Sequence, residues 1–197
     1  MNKVPNRAQM PYRDCVGIAL FNEQGQVFLA RRILTPGPDT SEVDAPWQMP
    51  QGGIGRRIDT KEGDFWQMPQ GGIDEGEDAL PAAYRELYEE TGIRTIRLLA
   101  QAPDWIHYDL PDEVLGIALK GNYRGQRQQW FAFLFEGEES EITLLLDNPG
   151  IDPEFDAWRW EDFDKVADII VPFKRPAYLE VHKAFAHIPG QIRGQRS

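Results

Sequence analysis

The stretch that decides the fold prediction is GGIDEGEDALPAAYRELYEETGI, residues 71–93. Its two opening glycines allow a tight turn with exposed backbone, because glycine has no Cβ to restrict the chain. The acidic pair Glu77 and Asp78 suits the positive end of a helix dipole, and Gly92 suits the position just after the last helical turn. The sequence therefore predicts a turn followed by a helix over residues 79–91.

Three glutamates lie on one side of this predicted helix. Glu86, Glu89 and Glu90 follow the i, i+3, i+4 spacing that makes residues neighbours on a helix surface. Like charges at that spacing destabilise a helix by about 0.2–0.5 kcal/mol per pair, so a bound cation would relieve them. Carboxylate oxygens suit Mg²⁺ or Mn²⁺, although an isolated acidic cluster is more often a solvated helix face. The metal interpretation is favoured here by Gly71 and by Arg85, which precedes Glu89 by one helical turn and is placed to orient it.

The composition limits the class of protein. The chain has 197 residues, 41% of them apolar, which is sufficient for one domain with a sizeable core. A net charge of −11 argues against a general DNA or RNA binder, because such proteins carry a basic surface. No apolar stretch reaches the roughly 18–20 residues of a membrane span, and the first residues lack the apolar part of a secretory signal. We expect a cytoplasmic protein without DNA or membrane partners, most simply a monomer.

Cysteine and histidine usage narrows the kind of site. The single cysteine, Cys15, cannot form an intramolecular disulfide, and its apolar surroundings in sequence predict a small buried side chain. The three histidines are scattered at His107, His182 and His187. A zinc site is therefore not expected.

The octapeptide WQMPQGGI occurs twice, at residues 47–54 and 66–73. Two short copies are too few for a repeat architecture, so we interpret them as a local duplication within one domain. Only the second copy runs on into the acidic helix, and we expect that copy to belong to the fold. The segment 33–65, rich in Pro and Gly, is then a loop insertion. The alternative, that this segment is ordered and functional, stays open.

Apolar runs elsewhere predict a single α/β domain over residues 11–188, with flexible termini at 1–10 and 189–197. A last helix is predicted over 173–187, where apolar residues recur at helical spacing. The predicted strands are 15–22, 27–32, 95–101, 115–119, 129–135, 141–146 and 157–160. Strands interrupted by two helices indicate a sandwich of helices and a mixed sheet.

Residues 71–93 resemble the signature of the Nudix hydrolases, Gly-x5-Glu-x7-Arg-Glu-aliphatic-x-Glu-Glu-x-Gly-aliphatic, at every defined position. We call this stretch the Nudix box. Runs outside the box, such as WQMPQGGI at 66–73, GQRQQWF at 125–131 and EFDAWRW at 154–160, are similar to one branch of the family. That branch holds the bacterial RNA pyrophosphohydrolases and dinucleoside polyphosphate hydrolases. The resemblance implies an α/β/α sandwich in which the box forms a loop–helix–loop.

The resemblance also implies roles for individual residues. The residues implied as ligands of Mg²⁺ or Mn²⁺ are Gly71, Glu86, Glu89, Glu90 and Glu154. Those implied in catalysis are Glu89, Glu90, Glu154 and Arg85. Those implied in substrate binding are Arg32, Arg57, Phe173, Lys174 and Arg175. Arg32 and Phe173 would enclose the first base. As alternatives, Arg57 would take the place of Arg32, and Phe173 would be an aromatic residue of the core. Lys174 and Arg175 would meet phosphate.

The activity implied by the resemblance is removal of pyrophosphate from the 5′ end of triphosphorylated RNA, which initiates mRNA degradation. A dinucleoside polyphosphate such as diadenosine tetraphosphate is the alternative substrate, since it would need the same metal site. A third possibility is a binding module on a Nudix scaffold that has lost catalysis. The complete set of box glutamates argues against this third possibility.

Overall fold

A computed structural model of the chain describes residues 6–33, 66–144 and 154–195. Within these ranges, eight strands form one mixed sheet. The strands are β1 (Tyr12–Phe21), β2 (Val27–Arg32), β3 (Trp66–Gln67), β4 (Gln70–Gly72), β5 (Ile96–Gln101), β6 (Ile106–Asp109), β7 (Gly125–Phe135) and β8 (Phe155–Glu161). The helices are α1 (Ala79–Thr91), α2 (Val166–Ile169), α3 (Arg175–Phe185) and α4 (Ile188–Gly194). In this part of the chain, no helix combines the length and apolar character needed to cross a membrane.

The centre of the sheet is the parallel pairing of β1 with β7, which extends along the whole of β1. On its other edge, β7 pairs with β5 and β6, both antiparallel to it. Because both faces of β1 are covered, its residues from Cys15 to Phe21 are all buried, which explains why they read as one continuous apolar run.

The other edge of β1 is shared by two strands that diverge from each other. β4 pairs with the first half of β1, so that Gly71 lies opposite Val16. β2 pairs with β1 only at the far end, where Val27 lies opposite Phe21. Between them, the Ile18 amide donates to the Pro69 carbonyl at 2.9 Å. This divergence brings the start of the Nudix box to the middle of the sheet.

Two apolar cores lie on opposite faces of the sheet. One packs helices α2, α3 and α4 against the sheet, with Trp130 and Val181 fully buried in it. The other packs α1 against the sheet through Leu87, Phe28 and Phe133. The predicted sandwich of helices and mixed sheet is therefore confirmed, and α1 occupies the range 79–91 that the sequence predicted.

Two predicted strands are wrong. Residues 115–119 form no strand; a 3₁₀ turn covers Ala118–Gly121, in which Leu119 and Lys120 have positive φ angles. The apolar run there is only partly buried, with Ile117 72% exposed, and the nearby strand that pairs with β7 is the shorter, earlier β6, which the prediction missed. In the predicted strand 141–146, the described residues hold the end of a 3₁₀ turn, Glu139–Glu141, and no strand.

The C-terminal end also differs from the prediction. The predicted helix 173–187 begins as a 3₁₀ turn over Pro172–Lys174, continues as α3 and ends at Phe185. Residues 189–194, predicted as a flexible tail, belong to α4, because Ile192 and the Ile188 that precedes them are buried in the core. The first copy of the octapeptide and Arg57 lie outside the described residues.

Candidate active site

Helix α1 carries the three box glutamates, and its ends are fixed by local backbone chemistry. Gly92 ends the helix with a φ of 72°, and its amide donates to the Tyr88 carbonyl at 2.8 Å. A residue with a Cβ is strained in that left-handed conformation. The buried side of α1 includes Ala83, Leu87 and Thr91, so the rotation of the helix is set by its apolar contacts. That rotation turns the glutamates towards β4.

Arg85 binds the acidic residues of the box together. Its guanidinium donates to both carboxylate oxygens of Glu77, at 3.0 and 2.7 Å, and to the Gly72 carbonyl at 2.9 Å. The same group donates to Glu86 at 2.8 Å and to Glu89 at 3.1 Å. The predicted pairing of Arg85 with Glu89 is present. Arg85 thus joins the loop before the helix to two of the three helix carboxylates.

Gly71 is the residue against which the Glu86 carboxylate packs. A Cβ built on Gly71 would lie 1.8 Å from Glu86 Oε2, far inside any real contact distance. The carboxylate therefore occupies the space that any other residue would fill. The neighbouring Gly72 has a similar relation to Arg13, whose Nη2 would lie 2.3 Å from an added Cβ.

Glu90 is the buried carboxylate of the site. Only 8% of the residue is exposed, and its Oε2 accepts from the Gln70 amide at 3.2 Å. Burial raises the pKa of Glu90 well above its ordinary value, and the negative charges of Glu154 and Glu86 raise it further. Burial likewise raises the pKa of Glu86. The folded chain thus holds several carboxylates close enough to repel one another.

Glu154 comes from a different strand region, just before β8, and pairs with Arg32. The Arg32 Nη1 atom lies 3.1 Å from Glu154 Oε2. Arg32 is at the end of β2, and Glu154 immediately precedes β8. The structure therefore brings Arg32 and Glu154 together with Glu90, since both charges act on the Glu90 carboxylate.

Lys174 is buried beneath this group, with 5% of the residue exposed. Its Nζ donates to Gln67 Oε1 at 3.3 Å and lies 5.4 Å from the centre of the Tyr108 ring. Burial and the positive charge of Arg32 lower the pKa of Lys174 to about 7, against the opposing influence of Glu90.

Phe173 and Arg175 lie on either side of Lys174 in sequence but have different surroundings. Phe173 is half-buried, with its ring 5.6 Å from that of Tyr108, so it packs on the core and keeps one part open. Arg175 donates to the Ala167 carbonyl at 3.1 Å and to Asp168 at 2.8 Å. Its guanidinium is thus engaged by α2 and is not brought to the carboxylates.

Two residues that border this group, Arg13 and Gln128, were not predicted from the sequence to have a role. Arg13 lies against Gly72, beside the box turn, and the charge of Arg13 acts on Cys15 together with those of Glu86 and Lys174. Gln128 donates to Gln70 Oε1 at 3.1 Å and accepts from Trp130 Nε1 at 3.1 Å. Gln128 lies in the run GQRQQWF at 125–131, but that run does not indicate which of its side chains turn towards the site, and no local pattern singles out Arg13.

Comparison with known proteins settles the family. A family model described as the NUDIX domain matches residues 54–181. The chain belongs to the Nudix family. Among curated Nudix relatives, a protein of Rhizobium meliloti (strain 1021) named RNA pyrophosphohydrolase is 54% identical over 179 residues, which cover 91% of this chain and 96% of the relative. A protein of the same name from Mesorhizobium japonicum is 49% identical over 186 residues, covering 94% and 96%.

Solved Nudix structures share the fold at low sequence identity. The dihydroneopterin triphosphate pyrophosphohydrolase of E. coli has a TM-score of 0.53 at 18% identity, covering 85% of this chain and 94% of that one. A C. elegans Ap4A hydrolase complex has a TM-score of 0.53 at 13% identity, covering 89% and 99%. At these identities the likeness shows the Nudix fold alone.

Nudix hydrolases generally use divalent metal ions, and the donor set here fits such an ion. The oxygen donors of Glu86, Glu90 and Glu154 are of the type that hard divalent cations take, and their mutual repulsion would be relieved by a cation. Within the described ranges, no three acidic, His or Cys side chains converge as a ready-made ion site. The carboxylates of Glu86 and Glu154 instead face Arg85 and Arg32.

Proposed function

We propose that this Nudix protein is an RNA pyrophosphohydrolase, which removes pyrophosphate from the 5′ end of triphosphorylated RNA and so initiates mRNA decay. The observation that carries the proposal is the match, along nearly the whole chain, to relatives of that name. The charge arrangement supports it, because Glu86, Glu154 and the buried Lys174 all lie close enough to Glu90 for their charges to act on one another.

We assign metal binding to Glu86, Glu89, Glu90 and Glu154, with the Gly71 carbonyl as a further donor. Mg²⁺ or Mn²⁺ suits this oxygen-rich set. When bound, such ions supply neutralisation of phosphate charge and a lowered pKa of a bound water.

The protein's own residues position the reactants. Arg85 holds Glu86 and Glu89 in a fixed arrangement through its contacts with Glu77 and the Gly72 carbonyl. A carboxylate, either Glu154 or one of the box, accepts a proton from the attacking water. The water oxygen forms a bond to phosphorus while a P–O–P bond breaks. The products are RNA with a 5′-monophosphate and pyrophosphate, or phosphate released in two steps.

Substrate recognition is assigned to residues next to the carboxylates. Arg32 and the open part of Phe173 would enclose a base, since unpaired RNA bases stack on guanidinium and aromatic planes. Lys174, once protonated, would meet phosphate oxygens. Arg175 would have to leave Asp168 to contribute, and Arg57 remains a proposed replacement for Arg32.

A competition assay tests the proposal. Equal concentrations of 5′-triphosphorylated RNA and diadenosine tetraphosphate are offered with Mg²⁺, and then with Mn²⁺. We expect the RNA to be converted much faster. Faster hydrolysis of the dinucleotide would replace RNA processing by dinucleotide clearance, and no hydrolysis of either substrate would favour a binding module.

The variant that tests the metal site is Glu90→Gln, which keeps the size of the side chain and an acceptor for the Gln70 amide. We expect this variant to fold, as judged by circular dichroism, and to lose turnover of both substrates. Glu136→Gln provides the comparison, since Glu136 pairs with Arg97 on the exposed edge of the sheet. This second variant should retain activity.

A further inference from the structure

We propose that Arg32 and Glu154 form a metal-dependent contact: Glu154 holds Arg32 while divalent cations are absent, and cation binding frees the Arg32 guanidinium for the RNA base. The inference deepens the proposed function and rests on it, because it links the metal ligands to the base-binding residues of the same site. It predicts that metal and RNA bind cooperatively.

The strand geometry aims the two side chains at each other. β2 and β8 pair in register up to Arg31, and a bulge between Arg31 and Arg32 then places Arg32 opposite Phe155. Bulges change the direction of side chains and are common beside active sites. As a result Arg31 pairs with Asp156 at 2.7 Å, while Arg32 Nη1 reaches Glu154 Oε2 at 3.1 Å.

The hydrogen bonding of Arg32 is only partly satisfied in this position. Its side chain is 19% exposed, and its Nε is buried without a hydrogen-bond partner among the described residues. Its guanidinium carbon lies 5.9 Å from the centre of the Phe155 ring. An unpaired buried donor is unfavourable. A partner that satisfies Arg32 more fully than Glu154 does can therefore displace it from this position.

A comparison with Arg85 shows why Arg32 in particular would be released. Arg85 also contacts two carboxylates assigned to metal binding, but it has independent anchors in Glu77 and the Gly72 carbonyl. If cations draw Glu86 and Glu89 away, Arg85 stays in place. Arg32 has no second carboxylate partner in the described part of the chain, so loss of Glu154 releases it.

Electrostatics give the cation the advantage over the guanidinium. Glu154 lies close enough to Glu90 for their charges to repel. A divalent cation between these carboxylates interacts with both and carries twice the charge of Arg32. Binding linkage then runs in both directions: a base that stacks on Arg32 removes it from Glu154 and raises metal affinity by the same factor by which metal raises RNA affinity.

The test is a double-mutant cycle on Mn²⁺ binding without RNA, in which free Mn²⁺ is measured by electron paramagnetic resonance. Arg32→Ala is measured with Glu154 present and in the Glu154→Gln background. We expect Arg32→Ala to tighten Mn²⁺ binding about five-fold when Glu154 is present, as loss of a competing ion pair worth roughly 1 kcal/mol would give. In the Glu154→Gln background the change should fall below about two-fold.

Two controls separate this contact from a general effect of charge. Lys174→Met removes another positive charge, which acts on Glu90 more strongly than on Glu154, so most of its effect should persist in the Glu154→Gln background. Arg32→Lys retains the charge and should give a smaller change than Arg32→Ala. An equal effect of Arg32→Ala in both backgrounds would overturn the proposal, whatever the turnover assay shows.

A binding measurement addresses the RNA side. Fluorescence anisotropy of a 5′-triphosphorylated oligonucleotide, with Ca²⁺ as the added cation and with EDTA, should show tighter binding with Ca²⁺ and loss of most of that gain in Arg32→Ala. If Mn²⁺ coupling is present but RNA is neither bound nor hydrolysed, the contact stands and the RNA function fails. If RNA is hydrolysed without Mn²⁺ coupling, the contact fails and the function stands.

Discussion

Replacing the buried lysine of the site should make the protein more stable and less active. Lys174 is 5% exposed, and its pKa is lowered from 10.5 to about 7. Between these two values the unfolded chain binds a proton that the folded chain releases, so the lysine destabilises the fold at neutral and lower pH, and this penalty disappears as the pH rises towards 10.5. At pH 7 the shift corresponds to about 4 kcal/mol.

Lys174→Met keeps the length of the side chain and removes the ionisable group. Loss of the hydrogen bond to Gln67 offsets about 1 kcal/mol, which leaves a gain of roughly 3 kcal/mol at pH 7. For a chain of this size that corresponds to a rise in Tm of about 6–12 °C. At pH 9 the penalty in the parent protein falls to about 2 kcal/mol, so the gain should shrink to roughly half or less.

The measurement is thermal and urea unfolding of both proteins, with EDTA, from pH 6 to pH 10. Lys165→Met serves as the control, because Lys165 is an exposed lysine paired with Asp162 and its replacement should not stabilise the fold. Turnover of triphosphorylated RNA by Lys174→Met should fall, since its proposed phosphate contact is lost. A variant that is no more stable at pH 7, or whose gain does not decrease with pH, would refute the reasoning.

Three further predictions concern the box turn and β1. Gly71→Ala places a methyl group 1.8 Å from Glu86 Oε2; the displaced carboxylate should cost at least ten-fold in kcat, while circular dichroism stays unchanged. Arg85→Lys cannot reproduce the fork that binds Glu77 and the neighbouring acids; we expect roughly a hundred-fold loss of kcat/KM, and parental activity would contradict the positioning role. Cys15 is 1% exposed and burial raises its pKa to about 12, so a thiol reagent at pH 8 should react only after urea unfolds the protein.

The sequence was most informative where one residue type answers one local physical demand. Helix α1 was predicted with its observed bounds because acids precede it and Gly92, with its positive φ, ends it. The burial of Cys15 and the apolar character of β1 also followed from sequence, since a strand covered on both faces must be apolar throughout.

Predictions failed where long-range packing decides the outcome. β6 has only four residues, and its place beside β7 is set by register with residues about twenty positions away, which no local pattern encodes. The apolar run near Leu119 was read as a strand, yet its backbone turns into the left-handed region. α4 was missed because it has only seven residues, and Pro189 and Gly190 within it are typical of a tail.

For the site, the sequence supplied the residues but not their partners. The box spacing predicted the pairing of Arg85 with Glu89. The pairing of Arg32 with Glu154 depends on a bulge between two strands, and the engagement of Arg175 by Asp168 depends on the position of α2. The first contact joins residues more than a hundred positions apart, which no local pattern relates. The second depends on a helix of four residues, which is too short to show a clear periodicity.

The pairing of β2 with β3 has a consequence for how this chain has been able to change. Arg31 lies directly opposite Trp66, so the two ends of the connection between these strands lie at adjacent points of the sheet. The free energy of closing such a connection grows only with the logarithm of its length. If the segment is the loop insertion that the sequence predicts, adding a nineteen-residue copy there would destabilise the fold by about 1 kcal/mol or less. A duplication at this point would then be close to neutral for selection, while the copy at 66–73 supplies β3, β4 and the start of the box.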